Sequence, residues 1–316
     1  MGAVDRSTIW PYDEHGDPRE FFYQRYAHPT GAAGEARLGE LEGGEALLFA
    51  SGMAAETAVL LAFARPGATV ALAEGAYFGT SVLLRTLEPW GLRYVEYDQT
   101  GPPPREADIV WVEAPANPTL TVPDWDAVRA HDGLIVCDAT ASTPVYLRAL
   151  DQGADIVIHS CTKFLTGSHN ALLGAAVTRS HERIEALRTI RTLTGANASP
   201  QSAASLLTGI DSLERRMRRI TETASDIAGR LDAHPAVELV RYPGYSGLIS
   251  FDVVDPRRVE TRTRVITNAT SLGGVNSTME SRHRWEGDRI PVGLLRLSVG
   301  LEDADDLWAD LVQALG

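Results

Sequence analysis

An α/β fold, with a large and mostly parallel sheet followed by a smaller α+β unit, is predicted by three features of the chain. Short apolar runs alternate with stretches of helical period through the first two-thirds of the sequence. One long helical pattern then follows Pro200 and stops at the His234-Pro235 pair. Strand patterns and an acidic-headed helix fill the remainder. Strands separated by helices pair in parallel, with the helices covering both faces of the sheet.

Taken in order, residues 1 to about 30 are polar, aromatic and Pro-containing, and read as an extended arm. Strands are predicted at Ala46–Ala50, Thr69–Ala73, Arg93–Tyr97, Ile109–Glu113, Leu134–Asp138, Ile156–His159 and Leu172–Thr178, where apolar and β-branched residues cluster. Helical periodicity falls between them, as at Met53–Ala64, Thr80–Trp90 and Asp124–His131. The long helix is predicted from about Gln201 to Ala233. Strand patterns follow at Glu238–Tyr242, Leu248–Val254 and Leu294–Val299. A last helix starts at Glu302, with Asp303, Asp305 and Asp306 at the end its dipole favours. The expected organisation is an arm (1–30), a large domain (31–210) and a small domain (211–316).

With 44% hydrophobic and 22% charged residues, the chain has ample material for a core and no sign of disorder. A net charge of −13 argues against nucleic acid or an anionic membrane as the main partner. The run Arg215, Arg216, Arg218, Arg219 lies among Glu214 and Glu222 on the long helix, and reads as a solvated or interface face. Cys137 and Cys161 each end an apolar run and read as small buried hydrophobes. No basic region followed by an apolar stretch opens the chain, and no segment reaches the roughly 18 apolar residues of a membrane span. A soluble cytoplasmic protein is expected.

The basic residues are the telling part of the composition. The chain has 28 arginines and a single lysine, Lys163. Arginine replaces lysine as a solvated charge but not as an amine nucleophile, since its guanidinium stays protonated. A lone lysine in an arginine-rich chain is therefore a candidate for amine chemistry, although chance survival on a solvated face would look the same.

An amine site of this kind suits pyridoxal phosphate (PLP), which also needs an anion for its pyridine nitrogen, a phosphate cradle, a ring-stacking group and a clamp for the substrate carboxylate. Lys163 follows the strand Ile156–His159, and Asp138 ends the preceding strand; in a parallel sheet both point into the crevice beyond the carboxyl ends. An Asp there can equally cap a turn. Ser51-Gly52-Met53 opens a helix, where bare N–H groups suit a phosphate, as they suit any ordinary helix start. Ser160 and Thr162 flank the lysine with hydroxyls. Tyr77 follows another strand end and could cover a ring or pack in the core. Arg296 is a charge inside a buried-looking strand and should meet a carboxylate.

Read together, YQRYAHPT, LEGGEALLFASGMAAETAVLLA, YFGT, VEAPANPTLTVPD, VCDATASTP, GADIVIHSCTKFLTG, HPAVELVRYPG, SLGGVNS and LLRLSVGLEDADDL resemble the Cys/Met-metabolism PLP enzymes. The resemblance runs in register from about Tyr23 to the end. It implies an aspartate-aminotransferase-like (type I) PLP-dependent transferase fold, with active sites shared across a homodimer or homotetramer, an amino-acid substrate, and no metal. It further implies that Lys163 carries the cofactor as a Schiff base, that Asp138 is its pyridinium partner and that Tyr77 stacks on its ring. Gly52, Met53, Ser160 and Thr162 would cradle the phosphate, with Tyr23 and Arg25 reaching the phosphate of the neighbouring subunit. Asn117 would lie beside the ring oxygen, and Arg296 with Ser277 would clamp the substrate carboxylate.

The SLGGVNS block is similar to the γ-enzymes rather than the β-lyases. It implies γ-elimination or γ-replacement on a sulfur-containing or O-activated homoserine-type amino acid. A β-eliminating C–S lyase and a catalytically silent PLP-fold binding protein are the alternatives. Several positions depart from the family pattern: His28 for Asn, Ala139 for Asn, Phe164 for Tyr, Asn276 for Glu, and Gly79 where methionine γ-lyases carry Cys. The arm and the segment between Ser277 and Arg296 are abbreviated.

Overall fold

The structure is a computed structural model that describes residues 4–316. The chain enters through an arm joined to itself by a bridge between Ile9 and Tyr23, then builds a seven-stranded and a five-stranded sheet. In chain order the first part holds α1 (Pro29–Glu42), β1 (Glu45–Phe49), α2 (Gly52–Phe63), β2 (Thr69–Ala73), α3 (Phe78–Leu87), β3 (Arg93–Tyr97) and β4 (Ile109–Glu113). It continues with α4 (Trp125–Arg129), β5 (Leu134–Asp138), α5 (Thr143–Tyr146), β6 (Ile156–His159), β7 (Gly174–Thr178) and α6 (His181–Thr194). After α7 (Pro200–Asp232) come β8 (Leu239–Arg241), β9 (Leu248–Asp252), α8 (Pro256–Glu260), β10 (Thr267–Asn268), β11 (Thr278–Ser281), α9 (His283–Glu286), β12 (Leu294–Ser298) and α10 (Ala304–Leu315).

The large sheet runs β1-β7-β6-β5-β4-β2-β3. The pairings from β3 through β6 are parallel, while β7 is antiparallel to both β6 and β1. Its central strands are covered on both faces, so they read as unbroken apolar runs rather than alternating ones. Along β4, Val110 and Val112 enter one core while Ile109 and Trp111 enter the other. That is the two-residue period of a strand with two buried faces.

Helix α7, about 50 Å long at 1.5 Å per residue, buries Leu206, Ile210, Leu213, Met217, Ile220, Ala224, Ile227 and Leu231 at three- and four-residue spacing. That stripe packs on α10, β8 and β9 of the small sheet's layer and on α1, which itself lies on β1 of the large sheet. It starts at Ser199, whose hydroxyl accepts from Ser202 N, with Pro200 in its first turn. The small sheet runs β10-β11-β12-β9-β8 and is antiparallel except at β10–β11.

His28 occupies the N-cap of α1. Its Nδ1 accepts from Gly31 N (3.0 Å), which places its proton on Nε2, facing Ala198 O at 3.1 Å. The imidazole thus does the capping an asparagine would do at this position. Among the described residues no helix is long and apolar enough to cross a membrane.

Candidate active site

A cleft of about 180 Å³ opens where the carboxyl ends of β4, β5 and β6 face the start of α2 and the middle of β12. Parallel register sets Glu113 beside Asp138, and Asp138 beside Ile158. Residues at these strand ends therefore converge on one crevice, as open α/β sheets dictate. Of the residues singled out in the sequence, Gly52, Met53, Tyr77, Asn117, Asp138, Ser160, Thr162, Lys163 and Arg296 all line it.

Lys163 sits in a turn after β6 in which its own N–H bonds Ser160 O and its carbonyl accepts from Gly167 N. Nζ donates to Ser271 Oγ at 2.8 Å. Burial and then the nearby Arg296 and Arg282 guanidiniums pull its ammonium pKa down to about 8, against the opposing pull of Asp138 and Glu280. The turn is held from behind by Arg216, which donates to Phe164 O (2.8 Å), Leu165 O (3.3 Å) and Gly209 O (2.9 Å). The solvated reading of the arginine run therefore fails at Arg216. This residue is buried because turn carbonyls that no secondary structure pairs need a donor. Arg215, Arg218 and Arg219 are exposed.

Asp138 is 6% exposed, and Thr140 N donates to its Oδ1 at 2.8 Å. Burial raises its carboxyl above the usual range, against the pull of Thr140, His159 and Lys163. Tyr77 starts α3, with its N–H on Glu113 Oε2 (2.6 Å). Burial lifts its phenol, so the hydroxyl keeps its proton. The ring explains Gly79: a Cβ there would lie 2.4 Å from Tyr77 Cε1 and 2.9 Å from Met53 Sδ. A cysteine at 79 would have to displace the tyrosine.

At the phosphate end Ser51 caps α2, its Oγ accepting from Ala54 N at 3.1 Å. Gly52 lies against Ser160, whose Cβ would be 3.0 Å from a glycine Cβ. The glycine keeps the helix start narrow and its N–H groups bare.

Arg296 projects from β12 and is bonded to Asn117 Oδ1 (2.8 Å), Ser271 O (2.9 Å) and Glu280 Oε2 (3.3 Å). Ser277 corrects the sequence reading. It is fully buried and outside the cleft wall, with Oγ donating to Glu302 Oε2 (2.8 Å) and accepting from Gly300 N (2.8 Å). Its polar atoms are consumed in anchoring the strand ends. The serine in the cleft is Ser271, at the head of the same SLGG block, with φ +88°. That left-handed backbone aims its hydroxyl at Lys163 and its carbonyl at Arg296.

Tyr23 and Arg25 lie outside this cleft wall. Arg25 stacks 5.4 Å from the Tyr23 ring and donates to Thr192 O at 2.8 Å. Asn276 is exposed and also outside it. Sequence reasoning missed Glu56, Glu113, Ser271 and Arg282, all in the wall.

These residues fit PLP. The buried amine is neutralised more readily than a free lysine, and a buried carboxylate faces it across the cleft. A capped helix start with a glycine backs one end, while Arg296 Nε is buried with no partner. Such a donor set matches an aldehyde, a pyridine nitrogen, a phosphate and a carboxylate.

Comparison with known proteins agrees with this geometry. A family model described as Cys/Met metabolism PLP-dependent enzyme matches residues 3–316. An L-methionine γ-lyase of Streptomyces avermitilis is 40% identical, over 99% of this chain and 84% of its own length. A cystathionine γ-synthase of Mycobacterium tuberculosis is 35% identical, over 100% and 92%. The crystal structure of an apo methionine γ-lyase from Micromonospora echinospora superposes with a TM-score of 0.94 at 32% identity, covering 100% of this chain and 93% of that one.

Proposed function

The chain belongs to the Cys/Met-metabolism PLP-dependent enzymes, and on that premise we propose that it catalyses γ-elimination or γ-replacement on a sulfur-containing or O-activated homoserine-type amino acid. The observation that carries this reading is the convergence of Lys163, Asp138, Tyr77 and Arg296 on one cleft. The relatives named above are γ-lyases and a γ-synthase, which supports γ over β chemistry.

When bound, PLP supplies an electron sink for charge that develops at the substrate Cα, and Asp138 keeps its pyridine nitrogen protonated. Asn117 and Glu280 hold the Arg296 guanidinium in place for the substrate carboxylate. Lys163 Nζ takes the proton from Cα, gives it up again, and only then takes one from Cβ; a pKa of about 8 leaves part of the amine neutral near neutral pH. Ser271 Oγ accepts from that nitrogen and so fixes its direction. Tyr77, held protonated by burial, delivers a proton to the group leaving Cγ. Water or a thiol then determines lyase or transferase outcome.

The same proposal includes a homodimer or a tetramer of dimers in which Tyr23 and Arg25 serve the neighbouring cleft, and a cytoplasmic location. The exposure of Tyr23 (40%), and of Leu172 (65%) on the cleft rim, supports a partner surface there.

The test is a panel of cystathionine, methionine, homocysteine, cysteine and O-acylhomoserines, scored by the keto acid released. We expect 2-oxobutyrate, or a condensed product when a thiol is added. Pyruvate as the sole keto acid would contradict the γ assignment.

A further inference from the structure

Each bidentate edge of an arginine guanidinium uses Nη2, paired either with Nε or with Nη1. In Arg296, Nη2 is already spent on Ser271 O (2.9 Å) and Glu280 Oε2 (3.3 Å), and Nη1 donates to Asn117 Oδ1 (2.8 Å). What remains is the orphan Nε and one Nη1 hydrogen, which are not side by side. A carboxylate reaching Arg296 alone would gain one good bond instead of two.

A second guanidinium stands in the same wall. Arg282 begins α9, is 6% exposed and lines the cleft. Its Nη1 donates to the same Glu280 Oε2 that Arg296 uses (2.9 Å), and its Nε and Nη2 both meet Glu286 Oε1 (3.0 Å each). One hydrogen on each terminal nitrogen is left over. The two cations share one carboxylate through Glu280, and Glu286 is shared with Arg289 at 3.4 Å. Burial pushes the Glu286 carboxyl up, which weakens its hold on negative charge. The two guanidiniums facing the cleft therefore meet on one oxygen of Glu280 and keep N–H groups to spare, which a ligand carboxylate can take up.

We propose that the substrate carboxylate is held between Arg296 and Arg282, each giving it an N–H. Glu280 acts as the positioning residue that fixes the two guanidiniums side by side. This inference rests on the enzyme reading above and adds to it a second carboxylate-binding residue from β11–α9. Register carries the arrangement: Glu280 lies directly opposite Arg296 in the β11–β12 pair.

The test uses PLP-loaded protein and two ligands that cannot eliminate, L-2-aminobutyrate and its decarboxylated counterpart propylamine. Binding of each is read from the change in cofactor absorbance near 420 nm. Arg282→Gln is expected to weaken L-2-aminobutyrate about ten- to hundredfold, the worth of a charged hydrogen bond, and to leave propylamine unchanged. If that variant does not fold, because Glu286 is left with Arg289 alone, the double variant Arg282→Gln/Glu286→Gln removes both charges and should show the same selective loss. Equal weakening of both ligands, or of neither, overturns the proposal. A wild-type protein with no cofactor band would instead overturn the enzyme reading itself, and the two-arginine clamp with it.

Discussion

Glu56 enters the cleft wall with the Thr80 hydroxyl donating to it at 2.8 Å, and no cation among the described residues is paired with it. Burial, reinforced by Asp138, pushes its carboxyl up to about 8. The unfolded chain would ionise the same group near the ordinary carboxyl value of 4.5. Between those pH values the folded state binds the extra proton, so the stability tied to protonated Glu56 declines as pH rises through that window and levels off above it. Glu56→Gln removes this titration. Thermal unfolding followed across pH should show the variant gaining on wild type from pH 5 to 8; parallel curves would show that Glu56 is paired with a group that stabilises its charge. At this scale the sequence was legible where chemistry restricts residue choice. Lys163 stood out because arginine cannot be an amine, and Asp138, which alone reads equally as a turn cap, because it ends the strand that precedes the lysine's. Glu56 and Arg282 were not legible, since an acid on a helix and an arginine among glutamates read as solvated charge. Ser271 was hidden because only its φ distinguishes it from Ser277.

Among the elements, the central strands were readable because burial on both faces leaves apolar runs bounded by turns, and β2 to β6 fall on the expected residues. Helix α7 was readable from its three- and four-residue stripe. Strand β11 was not, because it buries Glu280 and Ser281 through ion pairs and backbone bonds instead of apolar packing. The same cause concealed Arg216, a buried charge on an otherwise solvated run. Arg216 couples α7 to the Lys163 turn, and its removal takes the side-chain donor from two turn carbonyls, Phe164 O and Leu165 O. Arg216→Ala is expected to destabilise the protein by about 2–4 kcal/mol and to loosen the turn. Denaturant unfolding checks the first effect, and cofactor affinity checks the second. A variant with unchanged midpoint and unchanged affinity would show that the turn holds itself.

For the whole molecule, the two sheets are joined through the packing of α7 on α1 and meet at the cleft, with Lys163 on one side and Arg296 on the other. The proposed sharing of sites between subunits can be read from mixed dimers. Lys163→Ala and Arg25→Ala variants, each impaired alone, should complement when refolded together. A random mixture gives half heterodimers with one complete site each, or about a quarter of wild-type activity. No recovery would place Arg25 outside the neighbouring site. The central claim, though, is a covalent one. Borohydride reduction of the PLP-loaded protein, followed by peptide mapping, should find the pyridoxyl label on the peptide that contains Lys163, the only lysine of the chain. An unlabelled Lys163 peptide would contradict the account.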